Sequence, residues 1–326
     1  MSISNLNFKN DLESIFKQYF KDLETLSPNL HFHTQIKDKS DINKLCLLYY
    51  NLTNRLVEPR KRHVHKSSNF YYPSRFRNAL RILEEKIENG EDINTYLSKG
   101  IRWVVDPLPR RIRHRDALLD SWGIKHIHLG IRIESGGFVE RTGPVLFVKF
   151  DDKNAYFLLI KRHGRKGNRR YDPWNDQFLI DILHENWSDS ISDYEAKVDA
   201  KKTTNDEIKQ WKKRNINTPT TSKDGTIYFP LGGGVASSGD NIQNVRICYH
   251  IFDVIDADEK WLRENLTEFI EILSRNGKVI KQPLDFQLVS FEFIGKNLKL
   301  EVLEKNSKTY IVFEEGKNPI VNYHKR

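Results

Sequence analysis

The sequence predicts an α+β fold, with a helical N-terminal domain, a central small antiparallel sheet with a helix, and a C-terminal α+β unit. Three observations carry this. Apolar residues recur at helical spacing through the first hundred residues. Three short apolar runs with turn residues between them follow from Ile124 to Ile160. Three more runs, separated by GKN and NS turns, close the chain as a meander from Gln287 onward.

The elements can be read in order. Phe8, Leu12, Ile15, Phe16, Tyr19, Phe20 and Leu23 keep one face of a first helix. DINKLCLLYYNLTNRL, residues 41–56, makes a second. Phe76, Leu80, Leu83 and Ile87 mark a third over 74–89, stopped by Gly90. A short helix over 92–99 ends at Gly100. The central segment, 101–189, has strand candidates at Ile124–Ile133, Val145–Phe150 and Ala155–Ile160. The acidic turn DDKN joins the last two as a hairpin. Asp172-Pro173 then opens a helix running to Trp187, with Phe178, Leu179, Ile182 and Leu183 on its buried side. Residues 190–222 are polar and read as a linker with one exposed helix, where Thr204 and Glu207 form a capping box. The last domain, 223–326, opens on the strand TIYFPL. Its helix DEKWLRENLTEFIEILSRNG stops at Gly277.

Composition narrows the class of protein. In 326 residues the chain has 38% hydrophobic side chains and only two cysteines, Cys46 and Cys248. That argues against a disulfide framework and against cysteine-based zinc, and fits a reducing compartment. No apolar run approaches the roughly 20 residues of a membrane span. MSISNLNFKNDLES has no signal-peptide pattern. A cytoplasmic protein with no membrane partner is expected.

Charge is the most telling feature. The net charge is +9, from 53 Lys and Arg against 44 Asp and Glu. Residues 101–170 hold 16 basic and 7 acidic residues, so this segment carries the whole excess and the remainder is neutral. A localised surplus is the usual footprint of a polyanion site. Arg132, Arg141, Arg162, Arg165, Lys166, Arg169 and Arg170 are the candidate phosphate contacts within it. A second basic stretch, VEPRKRHVHKSSNFYYP, adds Arg60, Lys61 and Arg62 with Phe70, Tyr71 and Tyr72 close behind. Basic residues beside aromatics suit phosphate contact and base stacking. A plain basic loop packed on the helices fits it equally well.

WGIKHIHLG lies inside the basic segment and places His126 and His128 on one face of a strand. Gly130 and Arg132 continue that face. Ile127, Leu129, Ile131 and Ile133 form the other. A half-buried strand showing a cationic face to a cleft is expected. If the three strands are neighbours, Arg141, Lys161 and His163 converge with the pair. Histidine suits proton transfer near neutral pH, and Arg or Lys stabilises charge developing on phosphate. No carboxylates are interleaved, unlike a two-metal nuclease. His126, His128, Lys161 and His163 are therefore the candidate catalytic residues, with no metal and no cofactor. Two alternatives stay open: zinc held by His126, His128 and either His163 or His184, or a structural pair. His184 reads as a packed helix histidine.

Three strands followed by a basic segment resemble the core of the barnase–EndoU–RelE group of ribonucleases, over about 60 residues. The resemblance implies metal-independent RNA cleavage, with His126, His128 and Lys161 in the roles that EndoU-type members give to two histidines and a lysine. The segments RLVEPRKRHVH, LLDSWGIKHIHLG, RTGPVLFV, HGRKG and ILHENW also resemble uncharacterised bacterial proteins of toxin or defence type. That setting implies a protein antitoxin or defence partner.

FPLGGGVASSGDN is a separate candidate. Gly232, Gly233 and Gly234 after a strand, with Ser237 and Ser238 beyond, suit a backbone nest for phosphate before a helix starting near Asp240. The run matches neither a P-loop nor a dinucleotide fingerprint. A flexible turn is the other reading, and a nucleotide-binding enzyme or a non-catalytic nucleic-acid-binding protein are the alternatives to a nuclease.

Overall fold

Amphipathic helices and alternating strands sort into two units, neither of them continuous in sequence. Met1–Asp22, Lys39–Tyr49 and Arg246–Arg326 form one; Leu23–Asp38 and Tyr50–Val245 form the other. The computed structural model describes residues 2–23, 30, 33–35, 41–105, 116–162, 177–198, 203–214, 216–275 and 282–322.

In chain order the described elements begin with β1 (Ile3–Asn5), α1 (Phe8–Lys21), β2 (His33–Gln35), α2 (Ile42–Arg55), β3 (His63–Lys66) and α3 (Arg77–Asn89). Next come β4 (Trp103–Val105), α4 (Ala117–Trp122), β5 (Ile124–His128), β6 (Pro144–Phe150), β7 (Asn154–Arg162) and α5 (Phe178–Trp187). They end with α6 (Asn205–Lys213), β8 (Thr220–Thr221), β9 (Ile227–Tyr228), α7 (Ile242–Glu264), α8 (Leu266–Arg275), β10 (Leu284–Ile294), β11 (Asn297–Glu304), β12 (Thr309–Glu314) and β13 (Ile320–Asn322). The fold is α+β, with a helical N-terminal region.

The first unit is built on the expected meander. β10, β11 and β12 pair antiparallel, and two short strands extend the sheet: β13 beside β12, and β1 parallel to β10. Along β11 and β12 every second residue is buried, as a sheet with one covered face requires. α1 covers it with Phe8, Leu12, Phe16 and Phe20, all buried. Asp11 of α1 accepts the Leu288 N–H at 2.9 Å, beside a register shift between Leu288 and Ser290. The C-terminal helical segment is two helices, α7 and α8, and α7 starts well before Asp258. Phe269 and Trp261 pack against Phe286 and Phe313, with ring centroids 5.6 and 5.9 Å apart.

Asp258 on α7 is a liability of this unit. Its Oδ2 is buried and makes no hydrogen bond among the described residues. Burial first, and the Glu315 charge second, push its carboxyl up to about 7. Glu315 is held there by the Leu298 N–H at 3.1 Å and His250 at 3.0 Å. A folded-state value above the unfolded one means that the unfolded chain releases its proton first. Stability therefore falls as pH rises from about 4 to about 7 and stays lowered above. Asp258→Asn removes the penalty. Urea unfolding is expected to show the variant more stable than the parent by about 1–2 kcal/mol at pH 8, after allowance for solvent screening, with no difference at pH 3. Equal stability at pH 8 would count against an ionised, unsatisfied carboxylate.

The second unit contains a four-stranded sheet in the order β3-β7-β6-β5. β5, β6 and β7 are antiparallel neighbours, and the DDKN turn closes the β6–β7 hairpin as expected. β3 runs parallel to β7 at the far edge, inside the stretch that reads as a basic loop. α5 covers one face: Val145, Phe147 and Leu159 cluster with Leu179, Ile180 and Leu183. α3 ends at Gly90, whose φ of 78° is the left-handed stop expected of glycine. The short helix expected over 92–99 is two 3₁₀ turns, Asn94–Tyr96 and Lys99–Arg102. The Thr204–Glu207 capping box of α6 is present, and Ile208 of that helix is buried, as is Ile191.

Candidate active site at the β5 edge

The residues around β5 are set by one cap. Asp116 precedes the six-residue α4, and its Oδ1 accepts the N–H groups of Leu118 and Leu119, both at 3.2 Å. α4 ends at Gly123 in the left-handed conformation, φ 65°, and the chain turns straight into β5. That short path brings His126 back beside the cap, with Nδ1 3.4 Å from Asp116 Oδ2. Burial pushes the Asp116 carboxyl up, but the His126 hydrogen bond and charge, the Leu119 N–H and Lys125 outweigh it and leave it below the usual carboxylate range. The His126 and His128 rings meet edge to face, 5.8 Å apart.

Lys125 alternates to the other face of β5. Its ammonium donates to the Asn54 carbonyl at the end of α2. Burial pushes it down to about 7, with Asp116 opposing and Arg55 and Arg62 adding repulsion. Burial also lowers Arg55, against the attraction of Asp116 and Asp120. The Arg55 Nε–H is fixed on the Asn51 carbonyl at 2.8 Å. Two cations, two carboxylates and a histidine thus share one enclosed edge of the sheet. A carboxylate beside Nδ1 favours a proton on that nitrogen, and a lysine near neutrality exists partly as free amine, so the edge has the parts for proton transfer.

Register places the other expected residues. His128, Val145 and Lys161 form one row across three strands, and His126, Phe147 and Leu159 form the next. His126, His128 and Lys161 do share a face, as the alternation requires. That face is not an open cleft. His126 and His128 are only 8% and 4% exposed, and Phe147 and Leu159 of the same face pack beneath α5. The strand also stops at His128. A Cβ on Gly130 would lie 2.3 Å from the Glu140 carbonyl oxygen, and the chain beyond folds on itself through an Ile133–Val139 bridge. Ile131 and Ile133, expected on the apolar face, are 50% and 52% exposed in consequence.

The basic residues separate into two ends. Arg162 pairs with Pro144 at one end of the β6–β7 hairpin, and Arg141 lies just before it, both exposed. The Lys161 ammonium sits over the Phe178 ring, 5.2 Å from its centroid. Arg132 reaches Glu140 at 3.3 Å. His163, Arg165, Lys166, Arg169 and Arg170 follow Arg162 and lie outside the described residues. Arg60, Lys61 and Arg62 are at the opposite end, since His63 pairs with Asn154 at the start of β7. The nine residues of β7 put roughly 27 Å between the ends. Arg62 is buried, its guanidinium taken by the carbonyls of Asp151 at 2.7 Å and Glu58 at 2.9 Å. Arg60 is paired with Glu58 and Asp152, at 2.6 and 2.8 Å. Arg60 and Arg62 therefore brace the acidic turn, contrary to their expected place in a phosphate surface, while Lys61 is exposed.

The glycine loop is not a nest. Gly232 donates to Ser121 O at 3.3 Å, Gly233 to Pro230 O at 2.9 Å and Gly234 to Asp120 O at 2.8 Å. All three N–H groups are spent within the protein, so none is left to cradle a phosphate. Ser238 is turned onto Asp240, 2.9 Å away, and Ser237 is exposed. α7 begins at Ile242, close to the expected Asp240.

His184 is a tie between α5 and the β8–β9 turn. Its Nδ1 meets the Tyr228 hydroxyl at 2.6 Å and its Nε2 meets Asp224 at 2.8 Å. The Ser222 hydroxyl, then the Thr226 N–H, hold the Asp224 carboxyl well below its ordinary range. Among the described residues no three His, Cys, Asp or Glu side chains gather as a metal site. No described helix is long and apolar enough to cross a membrane.

Compared with family models, curated proteins and solved structures, the chain matches none of them. The site's chemistry therefore rests on its own residues. Sequence reasoning missed four of these, Asp116, Asp120, Lys125 and Arg55. Asp116 was readable as an N-cap before ALLDSW. Lys125 and Arg55 carry no local signal, because only folding encloses them.

Proposed function

We propose that this protein binds nucleic acid, through the basic end of its four-stranded sheet. One observation carries the reading. Within the segment that holds the entire charge excess, Arg141 and Arg162 are exposed at one end of the β6–β7 hairpin, the Asp151–Asp152 turn occupies the other end, and four more cations follow Arg162 in the sequence by Arg170. Exposed cations at a sheet end, in a segment rich in Arg and Lys, suit a phosphate backbone. Fluorescence anisotropy with a labelled RNA hairpin and a labelled DNA duplex is expected to show saturable binding. No binding of either at low salt would end the proposal.

The Asp116–His126 pair favours a second reading, metal-free RNA cleavage. Here His126 and His128 transfer protons to and from the 2′-hydroxyl and the leaving oxygen, and Lys161 stabilises the phosphate charge. His126→Ala and His128→Ala, checked for unchanged circular dichroism, are then each expected to cut RNA cleavage by roughly 10²–10⁴-fold while binding persists. EDTA is expected to leave the rate unchanged, and a 2′-deoxy nucleotide at the cut site to block it. Full activity in both folded variants would make the pair structural and leave binding as the function.

A further inference from the structure

We propose that Cys46 and Cys248 are an oxidative modification site, forming a reversible disulfide within the chain. They are the only cysteines in the sequence, 202 positions apart, and the fold brings them together. Both are free and buried, at 0% and 4% exposure. Cys46 lies on α2 and Cys248 on α7, and the two thiols are hydrogen-bonded to each other. A second contact fixes the helix pairing independently: Asn244 Nδ2 donates to Asn51 Oδ1 at 2.8 Å. Going back one turn on α2 and forward one turn on α7 leads from that contact to the cysteines. The helices therefore run antiparallel, and their packing holds the two sulfurs face to face. Sulfurs already in contact need only a small approach to reach a disulfide length of about 2.05 Å.

Hydrogen peroxide is the oxidant class that fits two buried thiols, being small enough to enter on a local opening. The thiolate of Cys248, the more exposed of the two, attacks one peroxide oxygen. The O–O bond breaks, hydroxide leaves and is protonated to water, and Cys248 becomes a sulfenic acid. Cys46 then loses its proton and attacks that sulfur, expelling a second water as the S–S bond forms. Two thiols lose two electrons in total, and one peroxide becomes two waters. The hydrogen bond to Cys248, and then burial, push the Cys46 thiol up, so the closed fold reacts slowly.

The test uses the full chain, treated with peroxide while its circular dichroism stays native, then alkylated in denaturant. Both thiols are expected to be lost, with a Cys46–Cys248 cross-linked peptide in the mass spectrum, no inter-chain species, and recovery with dithiothreitol. Cys46→Ser is expected to leave a sulfenic acid on Cys248 that dimedone traps. Thiols that stay alkylatable, sulfinic or sulfonic acids in the parent, dimers bridged by cysteine, or a cross-link that appears only after the dichroism is lost would each overturn the proposal.

Discussion

Gly232→Ala is expected to destabilise the protein by at least about 3 kcal/mol, the upper part of what one added methyl costs in a packed interior. A Cβ there would lie 1.8 Å from the Leu119 carbonyl oxygen and 2.6 Å from Asp120 backbone atoms. Backbone cannot swing aside as a flexible side chain can. The loop is also knitted in place. Asn241 Nδ2 donates to Gly232 O at 2.7 Å and to Asp120 Oδ1 at 3.1 Å, and Gly234 donates to Asp120 O. Displacing the loop therefore strains α4, whose other end carries Asp116 and the contact to His126. Urea unfolding checks this, with Gly225→Ala as the comparison. Gly225 has φ of 99° but open space around a new Cβ. Its cost is expected to be near 1 kcal/mol, from backbone conformation alone. A Gly232→Ala protein as stable as the parent would contradict the close approach that replaces the phosphate nest.

The other large effect concerns binding. Reversing Arg162, Arg165, Lys166, Arg169 and Arg170 to Glu is expected to weaken nucleic-acid affinity by on the order of 10²–10³-fold at moderate salt, because each lost cation removes a phosphate contact and its counterion release. Reversing Arg60 and Lys61 is expected to change affinity little. They sit at the opposite end of β7, and Arg60 is already occupied by Glu58 and Asp152. Affinity measured by anisotropy for both variants separates a sited interface from a general charge effect. Equal losses from the two sets would mean that only net charge matters.

Which features were legible follows from how local their causes are. The β6–β7 hairpin, the Gly90 stop and the Thr204–Glu207 box are each dictated within a few residues, and each is present. The shared face of His126, His128 and Lys161 follows from alternation and neighbouring strands, and it too is present. Alternation names the residues of a face but not what lies over it, so the cover that α5 provides was not readable. β3 was hidden for a related reason. HVHK has the polarity of a loop and becomes a strand only by pairing with β7, some ninety residues on. A run of glycines advertises backbone donors, yet whether those donors are spent depends on α4, more than a hundred residues earlier. The same holds for Cys46 and Cys248, which distance in sequence made look unrelated.

The central claim, a phosphate interface at one end of the sheet, is tested most directly by the dissociation constant of a labelled nucleic acid as salt is raised. With about five phosphate contacts, affinity is predicted to fall about 10²–10³-fold between about 50 and about 200 mM monovalent salt, and the five-residue reversal to flatten that slope by about five. An affinity that holds steady over this range in the parent protein would contradict the claim.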